Sequence, residues 1–257
     1  MAALVSARAA FCTLPKIRLD QLIVQRGLSE SREQAKRLVL AGEVEVEGYD
    51  RLKPGVTIPD DVEIRIKERP KFVGRGGFKL EGALESFGIS VEGKIGIDIG
   101  ASTGGFTDCL LQRGATKVYA FDVGTNQLVW KLRTDRRVVS REKFNCRHLT
   151  ADDVAELGDI VVIDVSFISL TKILPAAFEV LKSGGDLVCL IKPQFELDRN
   201  EVGKGGIVRE DGLRQKSVTK IREFSEGELK KIWKQVIESP IAGTDGNQEF
   251  LAWIRHE

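Results

Sequence analysis

Three polar residues stand at the ends of apolar runs in this 257-residue chain. Asp164 follows "DIVVI", Lys192 follows "LVCLI", and Glu249 opens "EFLAWIR" after the turn "AGTDGNQ". A fourth, Lys79, begins the helical stretch "KLEGALESFGI". Carboxylates and amines held together can move or orient a proton. Taken singly, each is an ordinary solvated strand end or a helix-surface charge. Pro193 fixes its own φ and biases Lys192 towards an extended backbone, which aims the amine.

A second constellation lies in "KIGIDIGASTGGFTDCLLQRGATKVYAFDV". Ile95, Ile97 and Ile99 read as a short apolar strand, Gly100 to Gly105 as a glycine-rich turn, and "FTDCLLQRG" as the start of a helix. Glycines let a ligand approach the backbone, and a helix N-terminus offers free N–H groups. The next strand ends in Asp122, 24 positions beyond Asp98, where a carboxylate can accept from two neighbouring ribose hydroxyls. The candidate cofactor residues are Asp98, Gly100, Ala101, Ser102, Thr103, Gly104, Gly105, Phe106 and Asp122. The loop order departs from the G-x-G-x-x-G fingerprint of pyrophosphate binders, which favours a sulfonium methyl donor over nicotinamide.

These residues need a scaffold that brings strand ends to one edge. Strand-like runs alternate with helical or loop segments through "RVVSREKFNCRHL", "DIVVIDVSFISL", "GGDLVCLIKPQFE", "IWKQVIESPI" and "EFLAWIR". That alternation predicts an open, mostly parallel sheet with helices on both faces, and ligands at the C-terminal ends of its strands. Asp164 and Lys192 then share the edge with the glycine loop.

A different unit precedes it. "IRLDQLIVQRG" places Leu19, Leu22 and Ile23 on one helical face from Ile17 to Gly27. Ser31-Arg32-Glu33-Gln34 has the S-x-x-Q capping pattern ahead of Ala35, Leu38 and Val39. Alternation at Val44 and Val46, and again at Val62, Ile64 and Ile66, predicts a small sheet after the two helices. Arg18, Arg32, Lys36 and Arg37 are candidate phosphate contacts, although a solvated helix surface has the same composition. "ERPKFVGRGGF", residues 68–78, reads as a linker.

Composition bounds the rest. The net charge of +1 hides a split: residues 1–79 carry 15 Lys+Arg against 11 Asp+Glu, and the remainder 24 against 27. A polyanion is therefore sought first in the N-terminal part. Cys12, Cys109, Cys146 and Cys189 are widely spaced, and the only histidines are His148 and His256, so neither a disulfide framework nor a zinc site is expected. No apolar run approaches a membrane span. The first fifteen residues carry no acid and one arginine, which faintly resembles an organellar presequence; a disordered tail and a cytoplasmic location are the expectation.

Residues 17–67, with R-L-D-x-L, S-R-x-x-A-x-x-L-V and G-x-V-x-V-x-G, closely resemble the S4 RNA-binding domain. Residues 69–257 resemble ribose 2′-O-methyltransferases of the FtsJ type. From about Ile17 onward the chain resembles the TlyA family, on "GRGGFKL", "DIGASTGGFTDCLL", "DVSFISL", "IKPQFE", "VGKGGIVR" and "SPIAGTDGNQEF". The resemblance implies a Rossmann-like α/β methyltransferase preceded by a small α+β S4 domain: a tail at 1–15, the S4 domain at 16–67, the linker at 68–78 and the catalytic domain at 79–257. It implies S-adenosyl-L-methionine as cofactor, ribosomal RNA or ribosomal subunits as partner, methylation of cytidines in 16S or 23S rRNA, and a catalytic tetrad of Lys79, Asp164, Lys192 and Glu249.

On that reading Lys192 is the base or the group orienting the ribose hydroxyl, Asp164 positions it, and Lys79 and Glu249 complete the site. A second nearby cation would favour the neutral amine that a base requires. The family's other name, hemolysin, supplies the alternative of a membrane-acting protein, against which stand the lack of a long amphipathic or spanning segment and the complete cofactor loop. A non-catalytic RNA-binding protein is the third reading, disfavoured because all four tetrad positions are filled.

Overall fold

The structure, a computed structural model, describes residues 15–67, 70–243 and 245–257. The chain divides into two compact units, Met1–Pro70 and Lys71–Glu257. The expected tail lies outside the described residues except for Pro15, and so does Cys12.

The small unit comprises β1 (Lys16–Arg18), α1 (Leu19–Gln25), α2 (Arg32–Leu40), β2 (Val44–Val46), β3 (Thr57–Pro59) and β4 (Ile64–Ile66). The helix expected from Ile17 begins two residues later. Ile17 pairs antiparallel with Ile58 instead, so a strand precedes the two helices. That partner lies far along the chain, and local periodicity carries no trace of it. Leu19, Leu22 and Ile23 do share one buried face, packed with Ala35, Val39 and Ile58. Ser31 caps α2 by accepting from the Gln34 N–H, while the Gln34 side chain accepts from Glu30, one residue ahead of the usual capping-box donor. β2 and β4 pair antiparallel through Val44, Val46, Ile64 and Ile66.

The large unit runs α3 (Gly76–Phe87), β5 (Ile95–Ile99), α4 (Gly105–Gln112), β6 (Lys117–Phe121), α5 (Trp130–Arg133), β7 (Val138–Arg141), β8 (Gly158–Ile163), α6 (Leu174–Glu179), β9 (Leu181–Ile191), α7 (Pro193–Glu196), α8 (Asp211–Glu223), β10 (Ile232–Glu238) and β11 (Phe250–Arg255). Its seven strands lie in the order β10-β11-β9-β8-β5-β6-β7. β5 to β9 pair in parallel, and β11 inserts antiparallel between β9 and β10. The expected linker 68–78 is shorter than its composition suggests, because residues 76–78 already belong to α3.

Strand alternation decides which helix covers which face. Ile160 and Val162 of β8 pack with Leu80 and Leu84 of α3 and Leu110 of α4. Val161 and Ile163 point the other way, to Leu174 and Ala177 of α6 and Ile221 of α8. Each large apolar side chain so buried contributes roughly 1.5–3 kcal/mol. A strand apolar on both faces is the signature of a sheet covered on both sides.

Candidate active site and RNA-facing surface

The strand order reverses at β5, whose neighbours are β6 and β8, and a crevice opens there beyond the strand C-termini. A cleft of about 190 Å³ is lined by Gly76, residues 100–103, 105 and 106 of the glycine loop, Asp164, Ser166 and Lys192. The chain could not fold this way with side chains at its tightest points. A Cβ on Gly100, whose φ is +87°, would lie 2.3 Å from the Asp164 carbonyl oxygen, and one on Gly105 would lie 2.9 Å from the Gly77 nitrogen. β5, its loop and α3 therefore meet at backbone distance. The first turn of α4 leaves N–H groups without intrahelical partners at this edge.

The four polar residues form two ion pairs. Lys192 Nζ lies 2.6 Å from Asp164 Oδ1 and donates to Ser166 Oγ at 2.9 Å. Lys79 pairs with Glu249, and both side chains are buried. Sheet register explains their proximity: Phe250 pairs with Ile191, so Glu249 and Lys192 are the next residues of neighbouring strands. Glu249 thus stands just before its strand rather than inside it. Lys79 sits within α3, one turn after Gly76, where an added Cβ would lie 3.8 Å from Asp164 Oδ2. Asp164 and Lys192 line the cleft, whereas Lys79 and Glu249 pair beside it.

The cofactor candidates separate into two groups. Gly100, Ala101, Ser102, Thr103, Gly105 and Phe106 line the cleft. Asp122 accepts from the Ser102 N–H at 2.7 Å and from Gly124 at 2.6 Å, leaving lone pairs on both oxygens. Gly104, with φ of +100°, is the left-handed residue preceding α4 and faces Leu132. Asp98 is placed differently from the expectation of a cleft contact. It is fully buried, and its Oδ2 accepts from Thr107 Oγ1 at 2.6 Å. The reason is alternation, since Ile97 and Ile99 face one side of the sheet and residue 98 faces α4. Burial pushes the Asp98 carboxyl up to about 7, opposed by the Thr107 hydrogen bond.

In the small unit, Arg18 grips Asp20 through two hydrogen bonds of 3.0 and 2.9 Å, and Arg32 reaches the same carboxylate at 3.2 Å. Asp20 is buried while both arginines are half-exposed. The Arg18 hydrogen bond, supported by Arg32 and opposed by burial, holds the Asp20 carboxyl below the usual carboxylate range. Lys36 follows Arg32 by one turn and pairs with Glu33 at 2.7 Å, and Arg37 is exposed. Asp20 and Ser166 lie inside the motifs R-L-D-x-L and DVSFISL, but neither is among the candidate site residues read from the sequence.

An α/β sheet covered on both faces, with a glycine loop at its switch point and Lys-carboxylate pairs on the same edge, defines a methyltransferase of the Rossmann-like class. Residues 72–256 match the FtsJ-like methyltransferase family, and residues 17–61 match the S4 domain. The chain belongs to the FtsJ-like methyltransferase family and carries an S4 domain at its N-terminal side. It is 44% identical to a Mycobacterium tuberculosis protein named 16S/23S rRNA (cytidine-2′-O)-methyltransferase TlyA, over 93% of this chain and 90% of that one. A solved Streptococcus thermophilus structure titled as a hemolysin is 49% identical, with a TM-score of 0.71, covering 95% of this chain and 90% of that one. A Listeria monocytogenes structure titled as an S-adenosylmethionine dependent methyltransferase shares the fold, at 17% identity and a TM-score of 0.52, over 72% of this chain and all of that one.

Proposed function

We propose that this chain methylates the 2′-hydroxyl of ribose in ribosomal RNA, on cytidine, with S-adenosyl-L-methionine as methyl donor. The observation that carries the reading is the Lys192–Asp164 pair at the mouth of the glycine loop. The cofactor fits the residues present: side-chain-free backbone at Gly100 and Gly105, free N–H groups at the start of α4, and spare lone pairs on Asp122 for two ribose hydroxyls. Asp98 supports this loop from below by fixing Thr107 of α4. When bound, the donor supplies an electrophilic sulfonium methyl group.

Lys192 donates one N–H to Ser166 and stands in ion-pair contact with Asp164, whose Oδ1 accepts no hydrogen bond among the described residues, so N–H donors remain for the substrate oxygen. Lys192 orients the ribose hydroxyl and stabilises its oxygen as the proton passes to the Asp164 carboxylate in the same cleft. Preorganised donors of this kind contribute on the order of 10²–10³ in rate. Lys79 and Glu249 hold α3 to the start of β11 beside the cleft. Arg18, Arg32, Lys36 and Arg37 contact RNA phosphates, which positions the substrate without reading its sequence. The hemolysin title belongs to the relative that carries it. Among the described residues no helix is long and apolar enough to cross a membrane.

Purified Lys192→Ala is expected to bind S-adenosylmethionine normally and to transfer no methyl group to ribosomal RNA, as read by mapping of 2′-O-methyl sites. Normal turnover would overturn the assignment.

A further inference from the structure

Two segments carry the Lys192–Asp164 pair: the loop after β8, residues 164–170, and the strand end with α7, residues 192–196. Contacts between them recur along their length. Lys192 meets Asp164 at 2.6 Å and Ser166 at 2.9 Å. The Phe167 and Phe195 rings lie 5.1 Å apart. Glu196 Oε2 accepts from Ser169 Oγ at 2.5 Å, and its Oε1 accepts from the Leu170 N–H at 2.7 Å. Phe167 sits in the left-handed region at φ +63°, with its side chain 91% exposed. A non-glycine residue persists there only when its surroundings impose the conformation. The 164–170 loop therefore needs an anchor beyond the strained residue.

Glu196 is that anchor in geometry. Only 4% of it is exposed, its two oxygens take the two donors at the end of the loop, and Lys220 of α8 reaches it at 3.4 Å. The geometry points to Glu196 as a positioning residue that laces the 164–170 loop to the Lys192 strand end and so fixes the Asp164–Lys192 separation. It does not line the cleft, and its effect travels through Ser169 and Leu170 to Ser166 and Asp164. The inference rests on the catalytic reading of Lys192 given above, but the lacing is measurable without it.

The test compares full-length wild type, Glu196→Ala and Glu196→Gln. The glutamine can keep both contacts, because its carbonyl accepts from Leu170 and its amide donates to the Ser169 hydroxyl. Three readouts are taken: hydrogen exchange of the Leu170 amide, acetylation of the Lys192 amine by acetic anhydride, and single-turnover methyl transfer to ribosomal RNA per S-adenosylmethionine-binding site. In Glu196→Ala, exchange and acetylation are expected to rise by about threefold or more, as the laced segments open locally. Transfer per site is expected to fall by about tenfold or more, because misplacement of about 1 Å costs on the order of 10²-fold. Cofactor affinity should stay within about twofold, since the glycine loop is untouched. Glu196→Gln should restore all three.

Unchanged exchange and acetylation in Glu196→Ala would overturn the lacing. A change in both with an unchanged transfer rate would overturn the positioning role, as would a glutamine variant as impaired as alanine. If wild type itself transfers no methyl group to ribosomal RNA, the catalytic reading fails, while exchange and acetylation still decide whether Glu196 holds Lys192.

Discussion

Asp20 in the small unit and Asp98 in the large one are both fully buried carboxylates, and their surroundings push them in opposite directions. Two arginines hold Asp20 below the usual range, whereas Asp98, whose hydrogen bonds come from Thr107 and from no cation, is raised by burial to about 7. The contrast follows the partners that each carboxylate meets. Asp20 gathers two arginines that remain half-exposed, while Asp98 accepts from Thr107 of α4 inside the core. Lys79 and Lys192 form a third arrangement, each with its own carboxylate and far less exposed than the arginines. Arginine keeps its charge and its planar fork at the surface, whereas lysine offers a compact, rotatable donor for a single oxygen.

The largest effect that would break the comparison lies in the buried pair. Lys79→Ala or Glu249→Ala leaves one charge buried without its partner, and a loss of roughly 3–5 kcal/mol is expected on urea unfolding. A loss below about 1 kcal/mol, the range of surface pairs, would place these residues with the exposed arginines instead. Next comes Asp20→Ala, which frees Arg18 and Arg32. Affinity for ribosomal RNA measured by filter binding is expected to fall about three- to tenfold, since charge-assisted hydrogen bonds had fixed both guanidiniums. Unchanged affinity would mean that the two arginines need no common anchor.

Arg32→Ala tests whether that surface meets phosphate at all. The slope of log affinity against log salt should shrink by about one, uniformly across RNA sequences. The smallest effect is the pH signature. Asp98 has a folded pKa above its unfolded value, so the folded state binds the extra proton, and stability falls as pH rises from about 4 to about 7. Asp20 has the opposite sign, contributing stability above its unfolded value that is lost as pH falls through its lowered folded value. Asp98→Asn should therefore flatten the pH 4–7 limb of chemical denaturation while leaving the acid limb in place. A limb unchanged in Asp98→Asn would assign it to another group.

Much of the site was legible because its signals are local. The glycine loop, the apolar runs and the residues at their ends are contiguous, and the two-residue period of strands says which positions face which layer. The same rule, applied to Ile97-Asp98-Ile99, would have turned Asp98 away from the cleft. The start of α1 was misplaced because β1 exists only through its pairing with residues 57–59. The length of the linker was overestimated because Gly76 and Gly77 look like loop residues until their close packing on Gly105 and Phe72 is seen.

By itself the sequence determined two modules, a sheet covered on both faces, a glycine-rich loop at a strand end and four polar residues of matching type. Those are consequences of composition and period, which act over a few residues. Only the tertiary structure decided which amine meets which carboxylate, because the Lys79–Glu249 and Lys192–Asp164 pairs span long stretches of chain and depend on sheet register. It also decided that Asp20 serves two arginines and that Glu196 closes the loop beside Lys192. A buried carboxylate has no sequence signature of its own, since its role is set by the donors that folding brings to it.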